Sequence, residues 1–122
     1  MKTKWTVEFY ETEMGKIPSL DFIKTLEVKL KAKVFRDLEL LEERGNELRL
    51  PYSCHLDDGI FELRTIQSTN VVRNLYFFIA GRRIVITHGF CKKTQKTPSA
   101  EIQRAKDYRT DYLSRKMEVR RR

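Results

Sequence analysis

The chain has 122 residues, of which 40% are hydrophobic; this is the content of one ordinary domain and excludes intrinsic disorder. Its formal net charge is +8, which favours polyanionic partners such as nucleic acid, the ribosome, an acidic protein or an anionic membrane. Nothing approaches the ~20 consecutive apolar residues of a membrane span. Met1 to Glu8 lacks the pattern of a signal peptide, so a cytoplasmic protein with no membrane association and with reduced Cys54 and Cys91 is expected. With two His and two widely spaced Cys, a protein-only zinc site is not expected, and no metal or other cofactor is.

Thr3 to Phe9 alternates, carries aromatic and β-branched residues, and predicts a strand. A turn follows around Gly15 and Pro18. From Ser19 the period changes: Leu20, Ile23, Leu26 and Leu30 form one helical stripe, and Phe35, Leu38 and Leu41 another. Gly45 is a natural stop. Ser19 to Arg44 is long for one globular helix, and two antiparallel helices with a break near Val28 to Lys33 are expected. Glu47 to Gly59 reads as a polar loop. Three strands in quick succession, Ile60 to Ile66, Val71 to Ile79 and Arg83 to Phe90, predict an antiparallel meander. After a basic loop, Thr97 reads as an N-cap with Pro98 at the first helical position, and Ile102, Ala105, Tyr108 and Tyr112 mark the inner side of a last helix. The expected whole is one α+β domain over residues 1–115: a small antiparallel sheet of the N-terminal strand plus the meander, packed with a helix pair and a C-terminal helix. Residues 116–122 form a basic tail expected to fray.

The candidate chemistry lies on the meander. Glu62, Arg64 and Ile66 share one side of their strand, which puts Arg64 mid-sheet, where an arginine seldom sits without a partner. Arg73 opens the otherwise apolar side of Leu75, Phe77 and Ile79, with Tyr76 on the other side. His88 and Phe90 are expected to continue the side of Ile84 and Ile86. Lys92, Lys93, Gln95 and Lys96 follow in the loop CKKTQK. Gathered on one concave surface, these cations suit RNA. When a ribose 2′-hydroxyl attacks the adjacent phosphorus, charge grows on the phosphoryl oxygens, and guanidinium and ammonium groups stabilise it without a metal. His88 is the candidate for proton transfer and Tyr76 for base stacking. Taken singly, each has a structural reading: Arg64 paired with a core-edge carboxylate, Arg73 a strand-end surface cation, His88 a satisfied structural histidine, Tyr76 core, and the lysine run a solvated loop.

Four strings, LDDGIFELR (Leu56 to Arg64), VRNLYFF (Val72 to Phe78), THGFCKKTQKTP (Thr87 to Pro98) and EIQRAKDY (Glu101 to Tyr108), resemble the phage-related, HigB-like branch of the RelE/ParE toxin superfamily. The resemblance implies a compact α+β fold of the microbial ribonuclease type. It implies a toxin of a type II toxin–antitoxin system, cleaving mRNA in the ribosomal A site by metal-independent 2′-hydroxyl attack. A cognate antitoxin, commonly with a helix-turn-helix domain, would neutralise it in a hetero-oligomer. Residue by residue, Arg64 matches the arginine of the ELR strand, Arg73 the one opening the next strand, and Lys92, Lys93 and Lys96 the lysines of KKTQK. Arg64, Arg73 and Lys93 would then hold the scissile phosphate, and Lys92 and Lys96 its neighbours. An Arg73→Ala variant is expected to stay folded while losing toxicity. The alternatives are a ParE-like toxin acting on DNA gyrase, which the KKTQK string disfavours, and a catalytically inactive module that binds nucleic acid or antitoxin.

Overall fold

The computed structural model describes residues 4–92 and 96–121. The elements in chain order are β1 (Thr6–Phe9), α1 (Pro18–Lys24), α2 (Val28–Arg44), a 3-10 turn (Gly45–Glu47), β2 (Ser53–Asp57), β3 (Ile60–Gln67), β4 (Asn70–Ile79), β5 (Arg83–Cys91) and α3 (Ser99–Arg121). Five strands form one sheet in the order β1-β5-β4-β3-β2. The class is α+β, as the run of strands between helices predicts. β2 to β5 pair antiparallel as consecutive hairpins, whereas β1 lies parallel to β5, so the sheet is mixed.

The helices cover both faces. One face carries Leu63, Val72, Tyr76, Ile84 and Ile86, packed against Ile23 of α1 and Leu30, Val34, Leu38 and Leu41 of α2. The other carries Ile60, Leu75, Phe77 and Val85, packed against Ala105 and Tyr112 of α3, with Tyr108 at the margin. Each strand alternates between two apolar layers, which is why the central strands are almost continuously hydrophobic.

Several expectations are corrected. The strand begins at Thr6, and Thr3 lies outside the described residues. The helix break falls at 25–27, just before the expected stretch. There the Thr25 hydroxyl donates to the Phe22 carbonyl (2.6 Å) and the Glu27 carboxylate caps α2 by accepting from the Lys29 amide (3.0 Å). This break resets the helical phase. The inner stripe of α2 is Leu30, Val34, Leu38 and Leu41, and Phe35, expected inside, is 42% exposed. The loop predicted for 47–59 contains an edge strand, β2. Its sequence SCHLD is too polar to show as a strand, because an edge strand buries little. The turn that follows it was expected only as part of that loop: Asp58 and Gly59 both have positive φ (49° and 77°), the two-residue hairpin geometry that an Asp-Gly pair favours. At the other end, Thr97 does not cap α3. Its hydroxyl turns to Glu62, and the Pro98 carbonyl accepts from the Glu101 and Ile102 amides. The helix runs on to Arg121.

Candidate functional site

β3 and β4 place Arg64 directly opposite Arg73 on the α3 side of the sheet. Two guanidiniums this close repel unless an anion lies between them. Glu62, two residues before Arg64 and on the same side, is that anion. Its carboxylate sits 2.9 Å from Arg73 Nη1 and 3.8 Å from Arg64 Nε, and its other oxygen accepts from the Thr97 hydroxyl. Arg73 Nη1 also donates to Thr97 Oγ1 (3.3 Å). The two arginines differ in access: the Arg73 side chain is 1% exposed, that of Arg64 25%. Arg73 is thus a buried cation neutralised in place, not the surface cation of its simplest reading, and Arg64 is the one that reaches solvent.

The basic loop springs from this network. The Lys92 amide donates to the Val71 carbonyl at one root of the loop (3.2 Å), and Thr97 ties the other root to Glu62 and Arg73. Lys92 and Lys96 are exposed. Lys93 and Gln95 lie outside the described residues.

His88 is close by but sealed. A bulge in β5, opposite the Leu75–Tyr76 step, shifts the register. Ile84 and Ile86 therefore face α1 and α2, whereas His88 and Phe90 face α3, contrary to the expected common side. The extra residue is Thr87, whose hydroxyl donates to the Leu75 carbonyl (3.2 Å) and lies 3.1 Å from His88 Nδ1. His88 Nε2 is 3.3 Å from Glu101 Oε1 in the first turn of α3. Burial holds the imidazole below its ordinary pKa, against the opposing pull of the Glu101 carboxylate and with help from Arg104. A neutral ring packed on Phe90 and Tyr108 results.

Tyr76 is not placed to meet a base. It is buried on the opposite, α1–α2 side of the sheet, its hydroxyl bonded to that of Ser53 and its ring stacked on Phe61. Burial pushes its phenol up to about 12. The arrangement therefore brings together Arg64, Arg73 and the two roots of the lysine loop, adds His88 as a buried neighbour, and leaves Tyr76 out. Sequence reasoning missed Glu62, Thr97 and Glu101, the partners that orient these groups. The two-residue spacing of Glu62 and Arg64, which puts both on one side of a strand, was the available signal for the first.

Gly89, within the HGF string, also has a reason. A Cβ there would overlap the Asn74 side chain and come within 2.7 Å of Phe22 Cδ2, so α1 can seat on β5 only over a bare backbone.

Among known proteins, the model of a family described as phage-derived Gp49-like proteins (DUF891) matches residues 21–110, from within α1 through the first half of α3 and including every strand but β1. No curated protein matches the chain. With well over half of its length matched, including the Glu62–Arg73–Thr97 network, the chain belongs to the phage-derived Gp49-like family.

Proposed function

We propose that this protein is a toxin of the HigB/RelE kind: a ribosome-dependent mRNA endonuclease, held inactive by a cognate antitoxin with a helix-turn-helix domain in a hetero-oligomer. The observation that carries the reading is the Arg64–Glu62–Arg73 arrangement at the base of a lysine-bearing loop. Arg64 presents a guanidinium to solvent, and beneath it Glu62 and Arg73 form a buried ion pair. A phosphodiester laid across this patch would meet Arg64 from the sheet and Lys92 and Lys96 from the loop, whose sequence also carries Lys93.

In the proposed reaction the ribose 2′-oxygen forms a bond to phosphorus and the bond to the 5′-oxygen breaks. The 2′-hydroxyl proton leaves to a base, and the 5′-oxygen gains one. Arg64 and Lys93 stabilise the charge that grows on the non-bridging oxygens. Arg73 acts behind them as a positioning residue. His88, neutral and sealed by Glu101, supports the first turn of α3. The chain supplies charge and geometry, and the ribosome aligns the 2′-hydroxyl in line with the leaving oxygen.

Induced expression tests this directly. Growth should stop, and primer extension on an abundant message should reveal new 5′ ends. The Arg64→Ala variant should lose both effects while its stability changes by no more than about 1 kcal/mol, because a partly exposed ion pair contributes little. Intact messages accompanied by DNA damage would transfer the reading to gyrase. Full toxicity of both Arg64→Ala and Lys93→Ala would remove these residues from the site.

A further inference from the structure

On the α3 side of the sheet, strand pairing lays out two rows of side chains. Arg64, Arg73 and Phe90 stand abreast in one, and Glu62, Leu75 and His88 in the next. At the usual strand spacing the backbone of His88 lies ~8 Å from that of Arg73 and ~12 Å from that of Arg64. Arg64 leans toward the second row, where its Nε comes 3.8 Å from the Glu62 carboxylate. The start of α3 crosses above that row, from Thr97, bonded to Glu62 and Arg73, to Glu101, 3.3 Å from His88. Glu101 thus borders the cation patch, on the other side of Thr97 from Arg64.

The proposed cleavage needs a group that takes the 2′-hydroxyl proton, and the candidates on this side differ in what they can offer. Glu62 is buried and bonded to Arg73 and Thr97. Asp57 and Asp58 are engaged by Lys106 and Arg109 at the β2–β3 hairpin, and Asp107 and Asp111 lie further along α3. The His88 side chain is 4% exposed and both its ring nitrogens are in contact, Nδ1 with Thr87 and Nε2 with Glu101. Glu101 is different. Its side chain is 18% exposed, its contacts with His88 and Arg104 both fall on Oε1, and Oε2 has none among the described residues.

We propose that the Glu101 carboxylate is the general base of the cleavage and that His88 is its positioning residue, an inference that rests on the ribonuclease reading. Oε2 takes the proton as the 2′-oxygen bonds to phosphorus. The bond to the 5′-oxygen breaks, and that oxygen takes a proton from water. The products are a 2′,3′-cyclic phosphate and a 5′-hydroxyl, and Glu101 then returns its proton to solvent. The buried imidazole, fixed at its other edge by Thr87, holds Oε1 through Nε2 and leaves Oε2 for the substrate.

A carboxylate in the first turn of a helix also suits the macrodipole, so chemistry has to be separated from folding. Glu101→Gln does this. Its amide can accept from or donate to Nε2, so the bond to His88 survives while the base is lost. In single-turnover cleavage of a synthetic message by the full chain with purified ribosomes, this variant should be slower than the parent by at least about a hundredfold. Its unfolding midpoint and its affinity for the ribosome should match those of the parent. A message with sulfur in place of the 5′-oxygen at the scissile bond has a leaving group that needs no proton, and on it the variant should stay equally impaired relative to the parent. Recovery on that message would make Glu101 the acid that protonates the leaving oxygen and would overturn the inference. So would parent-like cleavage by Glu101→Gln, or a fall in its unfolding midpoint large enough to account for the loss. In each of these cases the parent still cleaves and the ribonuclease reading stands; a parent that leaves the message intact on ribosomes would overturn both.

Discussion

At the scale of single residues, burial decides the role of each cation. Arg73 and Arg64 are alike in sequence, each an arginine in a strand otherwise rich in apolar residues, and pairing brings them face to face. Arg73 is enclosed with Glu62, and removing one partner of a buried ion pair leaves the other charge uncompensated. Arg73→Ala should therefore lower stability by roughly 3 kcal/mol or more in urea unfolding, instead of leaving the fold intact as its sequence position suggests. A loss of toxicity in that variant would report unfolding as much as chemistry, which makes Arg64→Ala the informative substitution. A midpoint for Arg73→Ala equal to that of the parent would show that Glu62 finds another partner.

At the scale of elements, the two faces of the sheet are assembled by different devices. α3 is fastened along its length by polar contacts. Glu101 meets His88 at its start. Lys106 and Arg109 meet Asp57 and Asp58 of the β2–β3 hairpin (2.6 and 2.9 Å), and Tyr112 and Arg115 reach β1 and the chain just after it. α1 and α2 are held mainly by apolar packing, to which α2 adds the buried Asp37 carboxylate accepting from the Thr65 hydroxyl of β3 (2.8 Å), and α1 depends on the bare backbone at Gly89. Gly89→Ala should push Phe22 off β5 and cost about 1–3 kcal/mol, as overpacking of a close-fitted contact does. Thermal unfolding measures the loss. Shortening Phe22 to Leu in the same chain should recover part of it, and no recovery would mean that the Asn74 clash dominates.

At the scale of the whole molecule, stability responds to pH through His88. Its pKa in the folded chain lies below the ordinary 6.5, because burial under α3 disfavours the imidazolium, with Arg104 adding to the effect and Glu101 opposing it. The unfolded chain binds the proton more readily, so stability rises with pH in this range. The melting temperature should be constant above about pH 7 and fall as pH drops through 6.5. A His88→Asn variant should flatten that dependence. A profile rising toward acid instead would mean that Glu101 holds the imidazole charged. The sense of the effect is independent of catalysis and can be measured on protein alone.

Much of this architecture was legible in the chain. β3, β4 and β5 follow from short β-branched and aromatic runs separated by turns, and α3 from the spacing of Ile102, Ala105, Tyr108 and Tyr112. The cations of the candidate site follow from their place in those runs. These are local properties, set by alternation and helical period. Only the tertiary structure decided the rest, because each remaining feature depends on a contact between segments distant in sequence. The hydroxyl of Thr97 prefers the buried carboxylate of Glu62 to a helix cap. The bulge at Thr87 moves His88 to the opposite side of the sheet from Ile86. A polar edge strand is recruited by the turn at Asp58 and Gly59. A one-residue change of register turns every later side chain of a strand over, and no reading of period alone can locate it.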